Sequence, residues 1–202
     1  MKASLLIVFA LMSFGSFCQK KKYVLSDDSA KVLLKNIPTK DDKIFYDSVL
    51  FTDSSIKKEQ LFIKIRQWFV ENFTDSKSVL EVNDNENGLL TGKGTYKYAT
   101  INGLNAHEGY TTFIMNVAVK DGKFRYQLYD FVAEGTNTSL WSTSYNNTMK
   151  EKLSMNDALA MYKKGQRQKY ASKYLIDMLG LVYYIQQSLG ELAKSSTTIS
   201  DF

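Results

Sequence analysis

The chain has 202 residues, 44% hydrophobic and 13% aromatic, with a formal charge of +5. This composition excludes a disordered or low-complexity chain, and the length suits one domain with a substantial core. A single cysteine, Cys18, and a single histidine, His107, exclude a disulfide framework and a site built from several thiolates or imidazoles.

Residues 1–18 read as a signal peptide. Lys2 supplies the positive start, Leu5 to Phe14 the apolar run, and Ser13-Phe-Gly-Ser-Phe-Cys18 a tail with small residues for the peptidase. The run is shorter than the ~20 apolar residues that span a bilayer. Cleavage is expected after Cys18, leaving Gln19 first, so the mature protein is exported, periplasmic or cell-surface, without thiol or transmembrane segment. A lipidated Cys18 is the other reading; Phe17, bulky where that chemistry wants a small residue, argues against it. Loss of Lys2 lowers the charge to +4. Lys20-Lys21-Lys22 then reads as a solvated tail.

Residues 19–42 form an N-terminal tail, broken at Pro38, the only proline. Asp28-Ser29-Ala30 fits a short O-glycosylation pattern of exported bacterial proteins. The domain proper is expected over 43–195. Ile44 to Phe51 alternates as a strand, with Ile44, Tyr46 and Leu50 available for packing. Asp53-Ser54-Ser55 offers cap oxygens to a helix from Ile56 to Phe73. Leu61, Phe62, Ile65, Trp68, Phe69 and Phe73 fall on one face of it, opposite Lys57, Lys58, Lys64 and Gln67.

A strand from Val79 to Val82, an Asn/Asp turn ending at Gly88 and a strand from Leu90 to Thr100 follow. Gly92 and Gly94 strip two side chains from one face, which predicts a bulge or a helix pressed close. Ile101 to Glu108 reads as a loop. Tyr110 to Val119 presents Phe113, Met115, Val117 and Val119 inward, and Asp121-Gly122 turns into Lys123 to Ala133. There Phe124, Tyr126, Leu128 and Val132 are expected on one face, and Lys123, Arg125, Gln127 and Tyr129 on the other. Residues 136–148 read as loop and Met155 to Tyr162 as a short helix. A long helix from Tyr170 to Lys194 buries Ala171, Tyr174, Met178, Val182, Ile185, Leu189 and Leu192.

The order β-α-β-β-β-β-α predicts an α+β two-layer sandwich, an antiparallel sheet with two helices on one face. Ser55-Ile-Lys-Lys-Glu-Gln-Leu-Phe, then Trp68 and Phe73, Leu80-Glu-Val, Asp84 and Gly88-Leu-Leu-Thr-Gly92-Lys-Gly94 resemble the domain of unknown function numbered 4468. The resemblance covers Ile44 to Val132 and is strongest over 55–132, above all to Gly94. It implies a TBP-like fold and an exported Bacteroidota protein, and brings no catalytic residues. TBP binds DNA with two such repeats; a single repeat behind an export signal makes nucleic acid an unexpected partner.

No reactive cluster stands out. His107 has only Glu108 beside it, which reads as a surface pair, and no serine sits in a Gly-x-Ser-x-Gly elbow. Asn83-Asp-Asn-Glu-Asn-Gly88 imitates the opening of a calcium loop, but its twelfth position is Gly94 rather than glutamate. It reads as a turn. Cofactors and metals are therefore not expected. Lys93, Lys97, Arg125 and Tyr129 mark a polar sheet face, a candidate binding surface for a protein, peptide or glycan. A solvated face gives the same pattern. The expectation is a non-enzymatic binding module. The alternative is a hydrolase of envelope or glycan material whose carboxylates converge in space, with Asp130, Glu134 and Glu108 as candidates. A structural subunit of a surface assembly is a third reading.

Overall fold

The computed structural model describes residues 32–73, 80–102, 105–139 and 149–195. The leader, its cleavage site and the Asp28-Ser29-Ala30 pattern lie outside the described residues. Strands β1 (Thr39–Lys40) and β2 (Lys43–Phe51) precede helix α1 (Lys58–Asn72). Strands β3 (Leu80–Asp84), β4 (Leu89–Asn102), β5 (Asn105–Lys120), β6 (Lys123–Ser139) and β7 (Met149–Ser154) follow, then helices α2 (Met155–Lys163) and α3 (Gln168–Ser195). The strands form one antiparallel seven-stranded sheet, ordered β1-β2-β6-β5-β4-β3, with β7 also on β6.

The two-layer α+β architecture is as expected, with additions. Residues 101–102 and 105–108, expected within a loop, continue the β4–β5 ladder, which runs on through Thr100↔His107 and Asn102↔Asn105. Residues 136–139 extend β6, and β7 pairs them from Met149 onward. Polar residues filled these strand ends, so no apolar alternation marked them. A β1–β2 hairpin turns at Asp41 and Asp42, both at positive φ. Leu34 and Ile37, within the expected tail, are buried in the core.

All the large side chains buried on the strands lie on one face. Ile44 and Tyr46 from β2, Leu90 from β4, Phe113, Met115, Val117 and Val119 from β5, and Phe124, Tyr126, Leu128 and Phe131 from β6 pack beneath the helices. The α1 stripe is buried as its spacing required: Leu61, Phe62, Ile65, Trp68, Phe69 and Phe73. Of the residues expected from α3, only Leu192 is partly exposed. Each fully buried large side chain contributes roughly 1.5–3 kcal/mol.

The start of α1 differs from expectation. Asp53 Oδ1 accepts from Ser55 N (2.8 Å), a local turn, and the serines do not cap the helix. Instead Asp121 Oδ1, in the β5–β6 turn, accepts from Lys58 N at 2.8 Å. A contact 63 residues distant in sequence thus stands where a serine cap was expected, beside the local Gln60 Oε1, which accepts from Lys57 N at 3.3 Å.

Gly92 and Gly94 allow a helix and a ring to come close. A Cβ at Gly92 would stand 2.5 Å from Phe69 Cζ on α1, and one at Gly94 would enter the Phe113 ring. Trp68 Nε1 donates to Ser188 Oγ at 2.6 Å, and Tyr184 OH donates to Asn72 Oδ1 at 2.5 Å, joining α1 to α3. Gly92→Ala is expected to lower stability by about 1–3 kcal/mol through overpacking. Ser188→Ala should cost about 1 kcal/mol by orphaning the indole N–H. Urea unfolding of the two variants, followed by tryptophan fluorescence, measures both.

Candidate functional site

The sheet face turned away from the helices carries the candidate surface, and strand register fixes its layout. Lys93, Ile114, Tyr129 and Phe45 form one cross-strand row. A second row is Lys97, Tyr110, Glu134 and Lys152, and a third is Leu89, Ala118, Arg125 and Val49. All four expected surface residues thus share the outer face, but on three rows. Tyr110 and Ala118, which mark the rows of Lys97 and Arg125, are eight residues apart on β5, roughly 26 Å of strand. No small ligand touches both ends.

Several charges on this face are already neutralised. Arg125 grips Asp47 in a bidentate pair, its Nε at 2.7 Å from Oδ1 and its second nitrogen against Oδ2. Tyr129 stacks on Phe45 (centroids 5.8 Å) and its hydroxyl accepts from Asn116 Nδ2 at 3.1 Å. Lys152 pairs with Glu134 at 3.0 Å, and Glu134 also accepts from the Tyr110 hydroxyl. That hydrogen bond, aided by some burial, raises the pKa of Tyr110.

The long strand β6 serves two neighbours in turn. Its first part pairs with β2 and its second with β7, and Asp130 stands at the change. Asp130 has φ 52°, and the β5–β6 register slips beside it, between Thr112 and Ile114. The extra residue of this β-bulge reverses side-chain parity. Phe131 and Ala133 therefore point into the core, and Val132, expected inside, is only half-buried. No alternation rule applied to the sequence locates such an insertion; an aspartate, tolerant of left-handed backbone, was its only signal.

At the bulge the outer face sinks into a groove of about 370 Å³. Lys93 and Asp130 line it, with Glu81, Thr112, Ile114 and Ser154. Asn156 closes one end, its Oδ1 accepting from Ile44 N at 2.8 Å. Sequence reasoning singled out Lys93 and Asp130 separately, and missed Glu81, Thr112 and Ser154, which no motif connects.

Of the hydrolase candidates, Asp130 and Glu134 stand apart. Asp130 and Glu134, four residues apart on one strand, are separated by roughly 13 Å of backbone. Paired glycosidase carboxylates stand about 5–9.5 Å apart. Glu108 and His107 lie in β5 rather than in a loop. The Asn/Asp segment is a turn: Asp84 accepts from Asn87 N (2.9 Å) and Nδ2 (2.7 Å), and Lys58 Nζ donates to Glu86 O (2.8 Å). Among the described residues no group of three or more His, Cys, Asp or Glu could hold a metal ion.

Comparison with known proteins agrees with this architecture. Residues 45–134 match the family described as a domain of unknown function (DUF4468) with TBP-like fold. A DUF4468 family protein from Bacteroides ovatus ATCC 8483 superposes with a TM-score of 0.60 at 14% identity, covering 81% of this chain and 94% of that one. A TBP-like protein from Parabacteroides distasonis ATCC 8503 gives 0.57 at 11% identity, covering 82% and 99%. At such identities the likeness is one of fold, and its coverage exceeds the segment matched by the family. No curated protein matches the chain.

The Arg125 hydrogen bond is the first cause holding the Asp47 carboxyl below its ordinary range. A depressed folded pKa contributes stability above the unfolded value, about 3.9, and loses it as pH falls through the lowered one. In Arg125→Gln the Asp47 titration midpoint, read by NMR, is expected to rise toward that of a free aspartate. An unchanged midpoint would show that the pair does not set it.

Proposed function

We propose, for a chain that carries a DUF4468 domain with a TBP-like fold over residues 45–134, an exported non-enzymatic binding module of the periplasm or cell surface. Its ligand, a protein, peptide or glycan, is taken by the outer face of the sheet or by its β2 edge. One observation carries this reading. Three helices cover one face of the sheet, while among the described residues no element covers the other.

An uncovered face of an antiparallel sheet is commonplace in itself. Here it also holds a groove, and it exposes apolar side chains that folding leaves unburied: Phe51 is 72% and Val49 44% exposed. The β2 edge adds backbone valence. Thr52 N donates inward to Gly122 O, while Phe45 N donates outward to Pro38 O. By this alternation Asp47, Val49 and Phe51 aim their amide groups outward, where no described strand pairs with them. Such an edge accepts an extended peptide.

The leader of residues 1–18 supports export, and no described helix is long and apolar enough to cross a membrane. A second reading, the carboxylate hydrolase, draws on Glu81 and Asp130 both lining the groove.

Fractionation of cells producing the full chain is expected to place it in the envelope, with Gln19 as its first residue by N-terminal sequencing. Retention of residues 1–18 in cytosolic protein would end the export reading. Binding of the mature protein to isolated envelope polymers and proteins should weaken at least tenfold in Lys93→Glu/Lys97→Glu and persist in Lys64→Glu on the helix side. Equal weakening by both variants would remove the outer face from the reading. Turnover of glycans or peptides, abolished by Asp130→Asn in a folded protein, would establish the hydrolase instead.

A further inference from the structure

The groove at the β-bulge holds two opposite charges that face each other without meeting. Lys93 on β4 and Asp130 on β6 stand on either side of β5, with Ile114 between them as an apolar floor. Two inter-strand spacings place their backbones roughly 10 Å apart. Neither side chain makes an ion pair with a described residue, although Arg125–Asp47 and Lys152–Glu134 neutralise other charges of the same face directly. The bulge creates this arrangement, because the left-handed turn of Asp130 inserts a carboxylate into the outer face and displaces Val132.

A cation and an anion held apart over an apolar floor are complementary to a ligand that carries both signs in the reverse order. We propose, building on the reading of the outer face as a binding surface, that this groove binds a short zwitterionic peptide. Its terminal carboxylate meets the Lys93 ammonium, and its α-ammonium meets Asp130. Thr112 and Ser154 present hydroxyls beside the site, and the aliphatic part of the ligand lies over Ile114 and Val132. The volume of about 370 Å³ lies at the small end of ligand pockets, which suits a dipeptide better than a long chain. Glu81 leaves the lining with one negative charge in excess, so a peptide bearing a second amine is preferred over a neutral or acidic one.

The groove is shallow and open to water, which limits each charge contact to a modest gain. Selectivity between free and capped termini is therefore the sharper readout than affinity alone. Asp130→Asn preserves the backbone, since asparagine adopts positive φ as readily as aspartate. Lys93→Gln removes an exposed ammonium and leaves the ladder intact.

The test is an NMR titration of the mature protein with the dipeptide alanyl-lysine, its N-acetyl form and its C-terminal amide. Shifts are expected at Ile114, Asp130 and Val132. Acetylation and amidation should each weaken binding about tenfold. Asp130→Asn should abolish the discrimination against acetylation alone, and Lys93→Gln the discrimination against amidation alone. This crossed pattern is one that mere loss of structure does not produce. Equal binding of free and doubly capped peptide, shifts confined to another surface, or no shift at 10 mM peptide (on the order of a 10 mM Kd, about 2.7 kcal/mol) would overturn the assignment. If envelope binding still depends on Lys93 and Lys97 in that case, the zwitterion inference alone fails; if that dependence is also absent, the binding reading of the face fails with it.

Discussion

The packing of Phe69 and Phe113 against a β4 that lacks two side chains is the constraint on which the rest of the structure depends. Gly92 and Gly94 leave space that these rings occupy, so α1 approaches the sheet more closely than a side chain at Gly92 would allow. Phe73 then sits edge-on to both Trp68 (5.5 Å) and Phe113 (5.2 Å), and Phe113 stacks on Phe131 (5.8 Å). Tyr46 meets Phe131 edge-on at 6.1 Å. A continuous aromatic path thus crosses from helix to β2, and each contact adds about 0.5–1.5 kcal/mol beyond burial. With no disulfide in the core, this packing takes its place.

Concentrating the apolar mass on one side leaves the opposite face to polar chemistry. The outer face is stabilised by cross-strand pairs rather than by a second layer: Arg125 with Asp47, Lys152 with Glu134, Tyr129 with Phe45 and Asn116. Cross-strand pairs of this kind contribute roughly 0.2–1 kcal/mol each. They also consume part of the charge that a ligand would otherwise meet. Arg125 therefore organises the sheet, while Lys93 retains its charge for the groove.

The β-bulge at Asp130 connects architecture to the groove. It stands where β6 exchanges β2 for β7 as its partner, and Asn156 of α2 bridges to Ile44 at that junction. One inserted residue does two things there. It keeps Phe131 in the core beside Phe113, and it carries a carboxylate to the outer face opposite Lys93. Bulges recur near binding sites because they re-aim side chains without disturbing the flanking ladder.

Local periodicity was enough to locate α1, α3 and the central strands, because burial on one face imposes a spacing of two or of three and four on the residues themselves. The glycine pair announced close approach for the same reason: only a missing Cβ explains two vacancies on one face of a strand. Other features depend on partners far along the chain and leave no local trace. The polar ends of β4, β5 and β6 are strands because each pairs with the next, and Asp121 caps α1 because a hairpin turn carries it there. Val132 was misplaced because a bulge changes parity without changing composition. The sequence alone therefore determined the two-layer framework and its core, which short-range spacing encodes. Only the tertiary structure decided that Lys93 and Asp130 share one groove, since register between strands, unlike burial, is a property of pairs.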